Sequence, residues 1–180
     1  MSRLELVKDI SNRPELKDIY TDIINNGFGN EEPMSYFTAL GNRPDLLKST
    51  WNFLKSILVE GELPATVKQM VSLAISHYNE CQFCSVSHTY ALESLGVSQD
   101  IIKGCLSNDE MEDIPVSYRS IIKFSIKSVK NAKSITDDDF DKLRENGLSE
   151  SEITELVLLI SLTNFSNTYT DIAKIPLDFG

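Results

Sequence analysis

Residues 63–95 read LPATVKQMVSLAISHYNECQFCSVSHTYALESL, and the first half of this stretch decides the fold class. Its apolar side chains fall at 67, 70, 71, 74, 75 and 78, the three-and-four spacing that lays them along one face of an α-helix. The same spacing returns near the other end of the chain at 153, 156, 157, 160 and 163, the last a threonine. Alternation with period two, the mark of a half-buried strand, is absent over any comparable length. The chain therefore reads as all-α.

Proline and glycine mark the boundaries, because proline starts helices, glycine ends them, and both are poor in the interior. Pro14, Pro33, Pro44, Pro64 and Pro115 each precede a periodic segment, and Gly27, Gly41, Gly61, Gly96 and Gly147 each follow one. Helices are expected near 3–11, 14–26, 34–40, 44–60, 64–78, 82–95, 98–106, 115–131, 136–146 and 149–168. Ser149 with Glu152 three residues on forms a capping box, and Thr136 before Asp137, Asp138 and Asp139 puts carboxylates at a positive helix end. The acidic triplet reads as a first turn and not as a metal or partner site. The echo between residues 12–16 and 42–46, Asn-Arg-Pro-acid-Leu, is read as two similar helix starts with Asn as cap, not as a repeat.

With 180 residues and 41% hydrophobic content, a single domain spanning residues 1–180 is expected. The net charge of −10, without a Lys/Arg cluster, argues against a protein that binds nucleic-acid phosphates. The longest apolar run, 156–162, is far short of the roughly 20 residues of a membrane span. Arg3, Glu5 and Lys8 interrupt the first residues, so no secretory signal pattern is visible and the cytoplasm is the expected location. Three cysteines are too few for a disulfide scaffold and leave at least one thiol free.

The constellation with chemistry in it is Cys81-Gln-Phe-Cys84-Ser-Val-Ser-His88. On a helix, positions three apart share a face at a separation suited to a disulfide, and Cys84 and His88, four apart, can also meet. Asn79 is expected to break the preceding helix and cap the next, setting Cys81 in a first turn where the helix dipole and a nearby imidazole favour thiolate. Three readings stand side by side: a redox dithiol, a zinc site, and two small core cysteines with a surface histidine. Helical spacing separates Cys81 from His88 by about 10 Å along the axis, too far for one ion, and no second Cys-x-x-Cys exists to complete a metal site.

Residues 63–95 resemble the core of the carboxymuconolactone decarboxylase-like superfamily in its AhpD-like, peroxidase-related branch. There a helix ends in an Ile-Ser or Val-Ser step, an Asn stands two residues before the first cysteine, and Cys-x-x-Cys-x-x-x-His follows. Ile75, Ser76, Asn79, Cys81, Cys84 and His88 fill these places. Upstream, NRPDLLKSTWNFLKSILVEGELP looks like the helix before the motif, and downstream TDDDFDKLRENGLSESEI is similar to the C-terminal helices of peroxidase-related members. On this likeness the redox core spans about residues 44–106 and the C-terminal helices about 115–175.

The resemblance implies an AhpD-like all-α fold, assembly into a homo-oligomer, and a thiol peroxidase that reduces a hydroperoxide and is restored by an external thiol or dithiol reductant. It implies Cys84 as the peroxidatic cysteine, Cys81 as the resolving cysteine that closes a Cys81–Cys84 disulfide, and His88 in the proton relay. Lactone decarboxylases of the superfamily lack the paired cysteines, so the pair favours the redox branch. Members usually carry a glutamate twelve residues before the first cysteine, where this chain has Gln69, which can hydrogen-bond but cannot accept a proton. Either another carboxylate, with Glu80 nearest, replaces it or thiolate formation rests on His88 and the helix terminus, and turnover is then weak. A dithiol-disulfide adaptor serving a partner peroxidase is the alternative, and a helical or zinc-binding domain without thiol cycling is a third.

No metal, flavin or nucleotide is expected, since no glycine-rich phosphate loop appears. Phe83, Tyr78 and Tyr90 are candidates for the wall of an apolar substrate pocket, with Phe83 the best placed. His77 has an uncertain direction, Cys105 reads as a buried structural thiol, and Trp51, Phe53 and Leu54 as core or subunit contact.

Overall fold

The computed structural model describes residues 2–107, 111–112 and 114–178. Among them are nine α-helices and one short 3-10 turn. The helices are α1 (Pro14–Asn25), α2 (Ser35–Leu40), α3 (Pro44–Leu58), α4 (Ala65–Tyr78), α5 (Gln82–Ser94), α6 (Gln99–Leu106), α7 (Val116–Lys130), α8 (Asp137–Glu145) and α9 (Glu150–Ala173). The all-α expectation is met.

Helix α4 is the hub. Nine of its residues in succession around the helix, from Val67 to Ser76 with only Gln69 left out, are buried, so it is enclosed on every side and not amphipathic. It packs against α5, α6, α7 and α9, and α9 also crosses α3, α5 and α7. A satellite of aromatic rings closes the other end, where Trp51 meets Phe28 and Phe37 edge to face at centroid distances of 5.4 and 5.5 Å. Trp51 and Leu54 are buried while Phe53 faces solvent.

Lys68, on the buried hub, is satisfied by donating to Ile57 O at 2.8 Å and by pairing with Glu155 at 3.2 Å. The other Glu155 oxygen accepts from the backbone N–H groups of Glu62 and Leu63 at 2.6 and 3.1 Å, pinning the α3–α4 turn onto α9. Gly61 is required there, because a Cβ at that position would run into the Glu155 carboxylate.

Three expectations need correction. Residues 3–11 form no helix: Arg3 N–H donates to Ala173 O at 2.8 Å and Val7 N–H to Thr38 O at 2.9 Å, so the backbone is committed to other elements and runs as an irregular strap. That strap closes the end of α9, which extends to Ala173 and not to 168, because Asn167 and Thr170 find buried partners where the apolar pattern had run out. At the two Asn-Arg-Pro starts the caps are Arg13 and Arg43, not the asparagines, with Pro in the first turn and each guanidinium bonded to Glu15 or Asp45. The Ser149–Glu152 capping box forms, and Asp139 accepts from Thr136 N–H at 2.8 Å and pairs with Lys127 at 2.6 Å.

Candidate active site

The junction between α4 and α5 sets the cysteines. Helix α4 ends in a Schellman arrangement: Glu80 N–H donates to His77 O at 3.0 Å and Cys81 N–H to Ser76 O at 2.9 Å. The residue that must take the left-handed conformation in this motif is Glu80, at φ 57°, where glycine is the usual choice. The chain then turns at once into α5, whose N-cap is Cys81 and not Asn79; Asn79 instead caps the end of α4. Cys84 falls at the third helical position, one turn along, and His88 one turn beyond it.

Both thiols are buried and unbridged. One hydroxyl, that of Thr170 on α9, lies 3.2 Å from Cys81 Sγ and 3.6 Å from Cys84 Sγ, bridging the two sulfurs. Their ionisation is shared. The Cys81 thiol is held below the ordinary cysteine value chiefly by the hydrogen bond from the Cys84 thiol, with help from Thr170 and from the Cys84 backbone N–H. Cys84 is pushed up, first because its proton is the one donated to Cys81 and then by burial.

Behind the cysteines a polar chain ties the junction to α9. Asn79 donates to Asn167 Oδ1 at 2.8 Å and to Asn164 Oδ1 at 3.0 Å, and Asn167 donates to Ser76 Oγ at 3.0 Å. Asn164, Asn167 and Thr170 are the residues that the sequence reading missed. Their signal was present: 167 and 170 continue the spacing of 153, 156, 160 and 163, so polar side chains stand where the core face should carry apolar ones.

Across the site, His88 Nδ1 meets Gln69 Oε1 at 2.7 Å. An amide oxygen only accepts, so in this arrangement Nδ1 carries the proton and Nε2 keeps the ring's lone pair. Burial pulls the His88 pKa down to about 4, which makes the neutral ring the form present near neutral pH.

A cavity of about 440 Å³ opens between α3, α4, α5, α9 and the segment before α2. Cys84, His88, Gln69, Phe83 and Tyr90 line it, whereas Cys81, His77, Tyr78 and Glu80 do not. His77 and Tyr78 lie on the exposed end of α4, and Glu80 is exposed on the turn. Tyr78 therefore drops out as a pocket residue, and His77 and Glu80 are not brought to the thiols. Cys105 is buried on α6 and its thiol is pushed up to about 12 by desolvation. Among the described residues no group of three or more His, Cys, Asp or Glu side chains is arranged to hold a metal ion, and no helix is long and apolar enough to cross a membrane.

Fold and site together define the class: an all-α AhpD-like protein with a Cys-x-x-Cys-x-x-x-His site at a helix start. The model of the carboxymuconolactone decarboxylase family matches residues 44–116, which carry both cysteines, His88 and Gln69. Among solved structures, a peroxidase-related protein with an AhpD core from Ralstonia eutropha JMP134 superposes with a TM-score of 0.86 at 22% identity, covering 98% of this chain and 92% of that one. A peroxidase-related protein from Silicibacter sp. TM1040 gives 0.85 at 16% identity, covering 97% and 91%. The debrominase Bmp8, in complex with 2,3,4-tribromopyrrole, gives 0.80 at 17% identity, covering 99% and 94%. No curated protein sequence matches the chain.

Proposed function

We propose that this protein is a thiol-dependent peroxidase in which Cys84 reduces an organic hydroperoxide and Cys81 resolves the product. The observation that carries this reading is the unequal placing of two adjoining thiols: Cys84 lines the cavity and Cys81 lies behind it at the helix N-cap. The pair shares one proton. With that proton on Cys81, the Cys84 thiolate attacks the terminal peroxide oxygen, the S–O bond forms, the O–O bond breaks, and the departing alkoxide takes the proton from Cys81. The Cys81 thiolate then attacks the Cys84 sulfenic acid, hydroxide leaves and is protonated from solvent, and a disulfide remains. Two electrons from an external thiol or dithiol restore the pair.

His88 holds a neutral Nε2 in the same cavity, suited to accept a hydrogen bond from the hydroperoxide O–H and to relay a proton at that face. Gln69 fixes the ring tautomer and adds no charge.

The test is peroxide consumption by the reduced protein with cumene hydroperoxide, paired with intact-mass analysis of the wild type, Cys84→Ser and Cys81→Ser. The expected result is loss of two hydrogens in the wild type, no change in Cys84→Ser and a trapped sulfenic acid in Cys81→Ser. Wild-type thiols that stay reduced under excess peroxide sink the peroxidase reading. Gln69 in place of a carboxylate favours one second reading, a dithiol adaptor that exchanges electrons with a partner's disulfide and reduces peroxide slowly. Rapid reduction of a small-molecule disulfide with slow peroxide consumption distinguishes it.

We also infer a homo-oligomer. Leu158, Phe165 and Ile172 recur every seven residues along the outer face of α9 and are 41%, 51% and 66% exposed, an apolar line that a second copy would cover. Sedimentation of the wild type as a monomer at micromolar concentration would overturn this.

A further inference from the structure

In a chain with 24% charged residues, the cavity beside Cys84 is walled, among the described residues, by no Asp, Glu, Lys or Arg side chain. Its surface is set instead by groups such as Phe28, Met34, Leu54, Leu58, Phe83 and Leu159. Several of the polar groups that reach it are engaged within the protein. Ser72 and Thr163 hydroxyls share a hydrogen bond at 3.1 Å, Ser166 and Tyr36 share one at 3.2 Å, and Gln69 holds His88. Ser87 and Ser94 donate to the carbonyls of Phe83 and Tyr90, both at 2.9 Å.

A ligand here meets apolar surface along its body and finds thiol and imidazole chemistry at one end. An anionic group would lose its hydration with no cation to replace it, which is costly. The protein's charge of −10 adds a field that disfavours anions before they arrive. A volume of about 440 Å³ lies in the range of pockets that enclose small organic molecules.

We infer that the site selects uncharged hydroperoxides with an apolar, ring-sized body and rejects those carrying a carboxylate or phosphate. This rests on the peroxidase reading for the reacting group, but the selectivity belongs to the cavity and can be measured without turnover.

The experiment is calorimetric and NMR titration of the Cys84→Ser protein with the product alcohol 2-phenyl-2-propanol, its para-carboxylate, and the methyl ester of that carboxylate as a size control. The expected order is alcohol and ester binding at least about tenfold more tightly than the carboxylate, the loss following from uncompensated desolvation. Ser94→Lys, at the exposed rim of the cavity, is expected to recover carboxylate binding. Carboxylate binding equal to or tighter than the ester in Cys84→Ser overturns the inference, as does failure of the neutral alcohol and ester to bind. Neutral-selective binding together with a wild type inert to cumene hydroperoxide removes the peroxidase reading and leaves the selectivity in place.

Discussion

Replacing Gln69 by glutamate puts a carboxylate where an amide oxygen now meets His88 Nδ1 at 2.7 Å. In the wild type, burial alone sets the ring, and it draws the pKa from 6.5 to about 4. With a unit negative charge about 4 Å from the centre of the imidazolium, an effective dielectric of about 20 gives an attraction of about 4 kcal/mol, or about three pH units. Part of this is offset by the desolvation of the new carboxylate, so a rise of about two units is expected, to about 6. Cys84, one turn away on α5, would then face a partly charged imidazolium, and its thiolate form would gain accordingly. The assay is a pH titration of the His88 ring resonances by two-dimensional NMR in wild type and Gln69→Glu, with the iodoacetamide rate of Cys84 measured in Cys81→Ser backgrounds. A ring pKa that moves by less than about half a unit refutes the argument, since it would mean that the Gln69 contact and the low-dielectric surroundings do not govern the histidine.

Thr170→Val removes the hydroxyl that bridges both sulfurs while keeping the shape of the side chain, and is expected to shift the thiol alkylation profile upward by about half a unit or more, with Thr170→Ser restoring it; superimposable profiles would dismiss Thr170 as a positioning residue. Glu80→Gly relieves a left-handed residue at the α4 C-terminus and should stabilise the fold by up to about 1 kcal/mol in urea unfolding, whereas destabilisation would contradict the Schellman reading. His88 is lowered in the folded state, so between its folded value of about 4 and 6.5 the unfolded chain binds more protons and stability falls as pH drops through that window. His88→Gln should flatten that part of the urea midpoint against pH curve, and an unchanged slope would count against a buried neutral ring.

The parts of the fold legible in the sequence were those written in local signals. The apolar spacing of 67–75 and of 153–163 marked α4 and α9, and Pro44 and the Ser149–Glu152 pair set the starts of α3 and α9 within a residue or two. Residues 3–11 misled because their apolar spacing serves a packed strap, whose hydrogen bonds go to Thr38 and Ala173, positions remote in sequence. The cysteine pair and His88 were visible because their spacing is local. Thr170 and Asn167 were not, because they reach the thiols by the crossing of α9 over α4 and α5, a tertiary contact that no window on the motif contains.

The placing of Cys81 and Cys84 separates two properties that a single thiol would have to combine. A nucleophile exposed to an apolar cavity is hard to ionise, because the surroundings that suit the substrate also desolvate the thiolate. At the N-cap, by contrast, Cys81 receives the Cys84 backbone N–H, the Cys84 thiol and the Thr170 hydroxyl, so the negative charge is stabilised on the sulfur that the cavity does not reach. On the proposed mechanism the charge is favoured on Cys81 and passes to Cys84, the thiol that lines the cavity, by transfer of one proton between adjoining sulfurs. This arrangement predicts an alkylation profile for Cys84 that depends on Cys81. In Cys81→Ser the hydrogen bond and the negative charge that hold the Cys84 thiol up are gone, and Cys84 should become faster toward iodoacetamide at neutral pH. An unchanged or slower Cys84 rate in that variant would show that Cys81 does not hold the Cys84 thiol up, and would leave burial as the cause.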